Sequence, residues 1–86
     1  MSILLKRQDD PIYSAIFLEK LTVEDLKKKI AERYNLENST ISSICKISKK
    51  GLTIRIDDSL VEHFEEEIDF IIETTDNNGS ISILLR

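Results

Sequence analysis

Hydrophobic positions change their period several times along the chain, and each change marks an element. Val23, Leu26, Ile30 and Tyr34 recur at helical spacing, while Lys27, Lys28, Lys29, Glu32 and Arg33 fall elsewhere on the wheel. This predicts a helix over Leu21–Tyr34, the only long helical pattern present. Thr22 stands at the N-cap, with Asp25 three residues on as a short-armed capping box. Glu24 and Asp25 complement the positive end of the helix dipole and Arg33 the negative end. Asn35 is suited to a left-handed cap after the last turn.

The remaining apolar runs read as strands. Ile3–Arg7 is the first, Gln8-Asp9-Asp10-Pro11 a turn, and Ile12–Leu18 the second. The second strand is apolar on both faces: Ile12, Ile16 and Leu18 point one way, Tyr13, Ala15 and Phe17 the other. Glu37–Thr40 is a turn or a single helical turn. Ile41, Ile44 and Ile47 alternate poorly, and a third strand is placed near Ser43–Ser48. Lys49-Lys50-Gly51 is a tight turn, with glycine supplying positive φ. Leu52–Ile56 alternates cleanly, with Leu52, Ile54 and Ile56 expected inward. Asp57-Asp58-Ser59 starts a short helix carrying Leu60, Val61 and Phe64. Ile68–Thr74 is a fifth strand, with Ile68, Phe70 and Ile72 on one face and Ile71 on the other. Asp76-Asn77-Asn78-Gly79 signals a hairpin. Ser80–Leu85 is the sixth strand, with Ile81, Ile83 and Leu85 on one face.

The order is β-β-α-β-β-(short helix)-β-β. It predicts an α+β chain of the β-grasp kind, a mixed sheet packed on one main helix, with an additional C-terminal strand. Two strands follow the short helix where that fold places one in the centre of the sheet. Which takes the central slot is open at this stage. The other is expected at an edge, or leaving to meet a partner chain.

Length, charge and chemistry narrow the function. Eighty-six residues make one domain, Met1–Arg86, with a modest core. The formal net charge of -4 argues against a nucleic-acid surface, and no apolar run is long enough to span a bilayer. One cysteine, Cys45, permits no internal disulfide and fits a reducing intracellular compartment. It is expected as a small buried residue among isoleucines. His63 is the only histidine, too few for a metal site, and no base lies near Cys45 to make it a nucleophile. Glu65, Glu66, Glu67 and Asp69 match no calcium loop and read as a solvated acidic turn. Gly51 and Gly79 both sit in turns, so no phosphate-binding loop exists. The end Leu84-Leu85-Arg86 lacks the flexible tail that a conjugated modifier needs. No catalytic, cofactor-binding or metal-binding residue emerges, and no cofactor is expected. What remains is hydrophobicity on the sheet face turned away from the helix. Tyr13, Phe17 and Ile71 are the candidate interface.

Three stretches carry a resemblance: Ala15–Leu26 (A-I-F-L-E-K-L-T-V-E-D-L), Lys49–Phe64 (K-K-G-L-T-I-R-I-D-D-S-L-V-E-H-F) and Gly79–Arg86 (G-S-I-S-I-L-L-R). Together they resemble the C-terminal domain of the Grainyhead-type transcription factors, nearest the alpha-globin transcription factor (late-promoter factor) branch. Asn38–Ser48 departs from the pattern in detail. The resemblance implies a ubiquitin-like domain for dimerisation or higher oligomerisation, pairing with itself or with family paralogues in the nucleus. It further implies an upstream immunoglobulin-like DNA-binding domain, and a sterile-alpha-motif domain between, neither of them in these residues. Two other binding modes compete with it. One is a head-to-tail adaptor of the Phox-and-Bem type, with Lys6 and Asp57-Asp58 as its poles. The other is a ubiquitin-like domain docking on other proteins through its open face.

Overall fold

The computed structural model describes residues 1–86. The predicted helix forms as α1 (Val23–Tyr34). Thr22 caps it, its hydroxyl accepting from the Asp25 N–H at 3.1 Å. The Asp25 carboxylate reaches past the cap and accepts from the N–H groups of Glu19 (2.7 Å) and Lys20 (3.2 Å). It therefore holds the incoming loop instead of closing a capping box. Asn35 adopts the left-handed conformation, φ 60°, ψ 41°, and the Leu36 N–H returns to the Ala31 carbonyl at 2.8 Å. Leu26, Ile30 and Ala31 are the buried stripe of this helix.

The strands are β1 (Ser2–Lys6), β2 (Ser14–Phe17), β3 (Ile41–Ile47), β4 (Thr53–Arg55), β5 (Ile68–Asn77) and β6 (Ser80–Leu85). A short helix, α2 (Asp58–Glu62), lies between β4 and β5, and a single 3-10 turn (Asn38–Thr40) precedes β3. The sheet runs β2-β1-β5-β6-β3-β4. β5 is parallel to β1 and antiparallel to β6, and β6 is parallel to β3. This mixed sheet over one main helix is a β-grasp arrangement with an extra strand.

Four expectations are corrected by this layout. Neither of the last two strands is an edge. The ten-residue β5 gives its first half to β1 (Ile3↔Ile68 to Lys6↔Ile71) and its second half to β6 (Ile72↔Leu85 to Asn77↔Ser80). β6 then fills the slot between β5 and β3, and the edges are β2 and β4. The inward assignment of Leu52 and Ile54 fails, since they are 60% and 37% exposed. β4 overhangs the helix as the last strand, and only Ile56 beyond it is buried. Ile12 falls in the turn instead of the strand and is 72% exposed. Cys45 lies half-buried on the face opposite the helix, not in the core.

The third strand alternates poorly because it contains a bulge. Ile41 pairs with Ile81 and Ser43 with Ser82, which leaves Ser42 as the extra residue. Ile41 and Ile44, three apart, are thereby both buried. The Ser42 hydroxyl donates to the Ile81 carbonyl at 3.1 Å. The hairpin turn places both Asn78 (φ 56°) and Gly79 (φ 89°) at positive φ, which suits the right-handed twist of the strands. Fifteen buried residues, all apolar, make one core between the sheet and the helices. Asp57 caps α2 through the Leu60 N–H, and Asp58 accepts from the Val23 N–H at 2.8 Å, tying α2 to the first turn of α1.

Candidate functional site

The face of the sheet turned away from α1 is built by strand alternation. Ile3, Leu5, Ile16, Phe70, Ile72, Ile83 and Leu85 point to the core, so the residues between them point outward. Leu4 lies across from Ala15 on β2 and from Asp69 on β5. Leu84 lies across from Glu73 and from Cys45, and Cys45 across from Arg55. Ile47 and Thr53 continue the row. The outer face thus carries an apolar band of Phe17, Ala15, Leu4, Ile71, Leu84, Cys45 and Ile47. Phe17 and Ala15 are its exposed members, and the other five are half-buried.

All three candidate interface residues fall on this face. Phe17 is 65% exposed and Tyr13 40% exposed. The Lys6 ammonium sits 5.6 Å from the centre of the Tyr13 ring. Ile71 is half-buried and central: Lys6 pairs with it on one side, and Arg86 exchanges two backbone hydrogen bonds of 2.9 Å with it on the other. Charges frame the band, including an ion pair between Arg86 and Glu73. Leu4 and Leu84 were missed from sequence. Their signal was present in the runs Ile3-Leu4-Leu5 and Ile83-Leu84-Leu85, because consecutive apolar residues in a strand must occupy both faces.

The chemistry-bearing residues do not converge. The His63 ring Nδ1 lies 2.7 Å from the Ser59 carbonyl on the surface. No three residues among His, Cys, Asp and Glu form a metal-sized cluster. The acidic turn has a structural task. Glu66 accepts from the Ser2 hydroxyl and from the Ser2 N–H, and these bonds hold its carboxyl below the usual range. Desolvation pushes the Asp25 carboxyl up, but the Lys20 and Glu19 N–H groups, with Lys29 and Lys28, outweigh it and leave it lowered. Burial pushes the Tyr34 phenol up, against the pull of Arg7 and Arg33. A shallow groove of about 320 Å³ runs between the free edge of β2 and α1, lined by Ala15, Ile16, Phe17, Lys29, Glu32 and Arg33. No helix is long and apolar enough to cross a membrane.

Comparison with known proteins places this arrangement. The family model described as "GRHL1-like, C-terminal domain" matches residues 1–86. The chain is 36% identical over 77 residues to the alpha-globin transcription factor CP2 of Homo sapiens, covering 87% of this chain and 15% of that protein. It is 34% identical over 68 residues to the Grainyhead-like protein 2 homolog of Homo sapiens, covering 79% of this chain and 11% of the relative. With the Grainyhead-like protein 3 homolog of Xenopus tropicalis it shares 24% over 82 residues, 95% of this chain and 14% of the relative. The chain therefore spans only a small part of the length of these relatives. No solved structure matches it. Family match and relatives together show that the chain belongs to the GRHL1-like C-terminal domains of the Grainyhead and CP2 transcription factors.

Proposed function

We propose that the chain is a non-enzymatic self-association module of a nuclear, sequence-specific DNA-binding transcription factor. The observation that carries this reading is the pair of exposed aromatics at the β2 side of the open sheet face, Phe17 and Tyr13. Exposed aromatic side chains at the margin of an apolar surface are a usual mark of a protein contact. Family membership supplies the transcription-factor setting, and with it the nucleus. The partner is a second copy or a family paralogue, and the surface takes neither DNA nor membrane. Joining two DNA-binding arms raises the effective concentration of the second once the first is bound, and so raises occupancy of paired half-sites.

The head-to-tail charge reading has less support. Asp57 and Asp58 both spend carboxylate oxygens on backbone donors within the chain, and the Lys6 ammonium donates to the Asp10 carbonyl at 3.0 Å.

Sedimentation equilibrium across protein concentration and salt tests the proposal. The expected result is a mass that rises with concentration and persists at high salt, since screening weakens exposed charge pairs more than apolar contacts. Burying an aromatic side chain is worth about 1.5–3 kcal/mol, so Tyr13→Asp with Phe17→Asp should raise the dissociation constant by at least ~100-fold. A monomer at every concentration would refute self-association.

A further inference from the structure

We propose that the seam between two copies is the free edge of β2, with the two sheets joined edge to edge and antiparallel about a twofold axis at Ala15. The proposal rests on the self-association reading and names its geometry. In the β1–β2 ladder the Leu18 N–H donates to the Met1 carbonyl at 2.8 Å, so Ser14, Ile16 and Leu18 turn their backbone groups toward β1. By alternation Tyr13, Ala15 and Phe17 turn theirs outward, and none finds a turn or side-chain partner.

Of the other unpaired edges of the sheet, β4 and the second half of β5 are guarded. β4 carries Arg55 and follows Lys49-Lys50, so two copies meeting there would bring like charges together. The half of β5 beyond the end of β1 carries Glu73 and Asp76. Exposed edges are normally protected by charge, proline or a bulge. β2, Ser14-Ala15-Ile16-Phe17, has none of these.

The edge is also complementary to itself. One antiparallel register matches all three outward residues. It sets Ala15 against Ala15 of the second copy and Tyr13 against Phe17 on either side. Each matched pair then exchanges both of its N–H···O bonds. On the open face the small alanines meet at the axis and an aromatic pair flanks them on each side, a favourable cross-strand combination. On the helix side the groove wall carries Lys29, ion-paired with Glu19, together with Glu32 and Arg33, a charge-balanced set that a copy of itself can face without net repulsion. A symmetric, self-matching patch is what a closed dimer requires.

Cross-linking tests the register directly. In a Cys45→Ser background, Ala15→Cys should form a disulfide-linked dimer under mild oxidation. Hydrogen-bonded antiparallel pairs hold Cα atoms about 5.5 Å apart, within the span a disulfide bridges. Thr53→Cys on β4 in the same background should remain a free thiol. Independently, Ala15→Pro removes an outward N–H while leaving the bonds to β1 intact. It should keep the circular-dichroism spectrum and lose the dimer. If the unaltered chain dimerises but Ala15→Cys fails to link and Ala15→Pro stays dimeric, self-association stands and the seam lies elsewhere. If Thr53→Cys links as readily as Ala15→Cys, the seam is likewise overturned. If the unaltered chain is monomeric throughout, both readings fall. If Ala15→Pro blocks capture of an extended peptide from another protein while the mass of the dimer is unchanged, the edge belongs to that peptide and the twin-copy seam is refuted.

Discussion

Leu85 and Leu84 are neighbours in β6 with opposite fates, and shortening each to alanine separates a central strand from a loose tail. Leu85 is completely buried, Leu84 half-buried on the open face. Leu85 pairs with Ile72 on one side and Lys46 on the other, so nearby backbone has little freedom to collapse into a void. Leu85→Ala should cost about 3 kcal/mol, the transfer loss plus an unfilled cavity. Leu84→Ala, losing partial burial only, should cost about 1 kcal/mol. A domain of this length has a total stability on the order of 4–13 kcal/mol, so the first loss is a large share of it. It corresponds to a fall in Tm of roughly 10–20 °C. Urea and thermal unfolding followed by circular dichroism would measure both, at one fixed and low protein concentration because association itself stabilises. If Leu85→Ala costs no more than Leu84→Ala, the end of β6 frays and the central placement of that strand is wrong.

Two further outcomes follow from the caps and the carboxylates. Asn35→Ala should lower stability by about 1 kcal/mol in urea titrations, because alanine resists the left-handed conformation, whereas Asn35→Gly should be neutral or slightly stabilising. Asp25 and Glu66 sit below their ordinary values of 3.8 and 4.5. Their contribution is complete above those values and is lost as pH falls through the lower folded-state values. Asp25→Asn and Glu66→Gln should therefore be less stable at neutral pH and lose less on acidification, read as urea midpoints along a pH series.

Local rules carried the sequence reading a long way. Thr22 and Asn35 bracket α1 because a helix end needs particular partners for its orphan groups. Asn78-Gly79 and the alternation of Ile81, Ile83 and Leu85 define β6, since turn chemistry and period are written in adjacent residues. Face assignment brought Tyr13, Phe17 and Ile71 together for the same reason. The order of strands was not legible, because pairing Ile3 with Ile68, or Ile44 with Ile83, depends on distant competition between strands of similar composition. Leu52 and Ile54 misled for a related reason. Alternation states which side a residue faces, and only the position of β4 at the rim decides whether anything lies there to cover it. At Ile41 an extra residue broke the period, and no local residue type announces a bulge without glycine.

The interior position of β6 bears on how the domain is made. A ribosome delivers Ser80–Leu85 after every other element of this fold, and both β5 and β3 must wait for that strand before their facing rows of amides and carbonyls are occupied. A nascent chain halted before Ser80 would display a slot with two bare rims, open to any passing extended segment. Completion is thus tied to the emergence of Ser80–Leu85 from the ribosome, and the half-built form is the one most in need of shielding by chaperones.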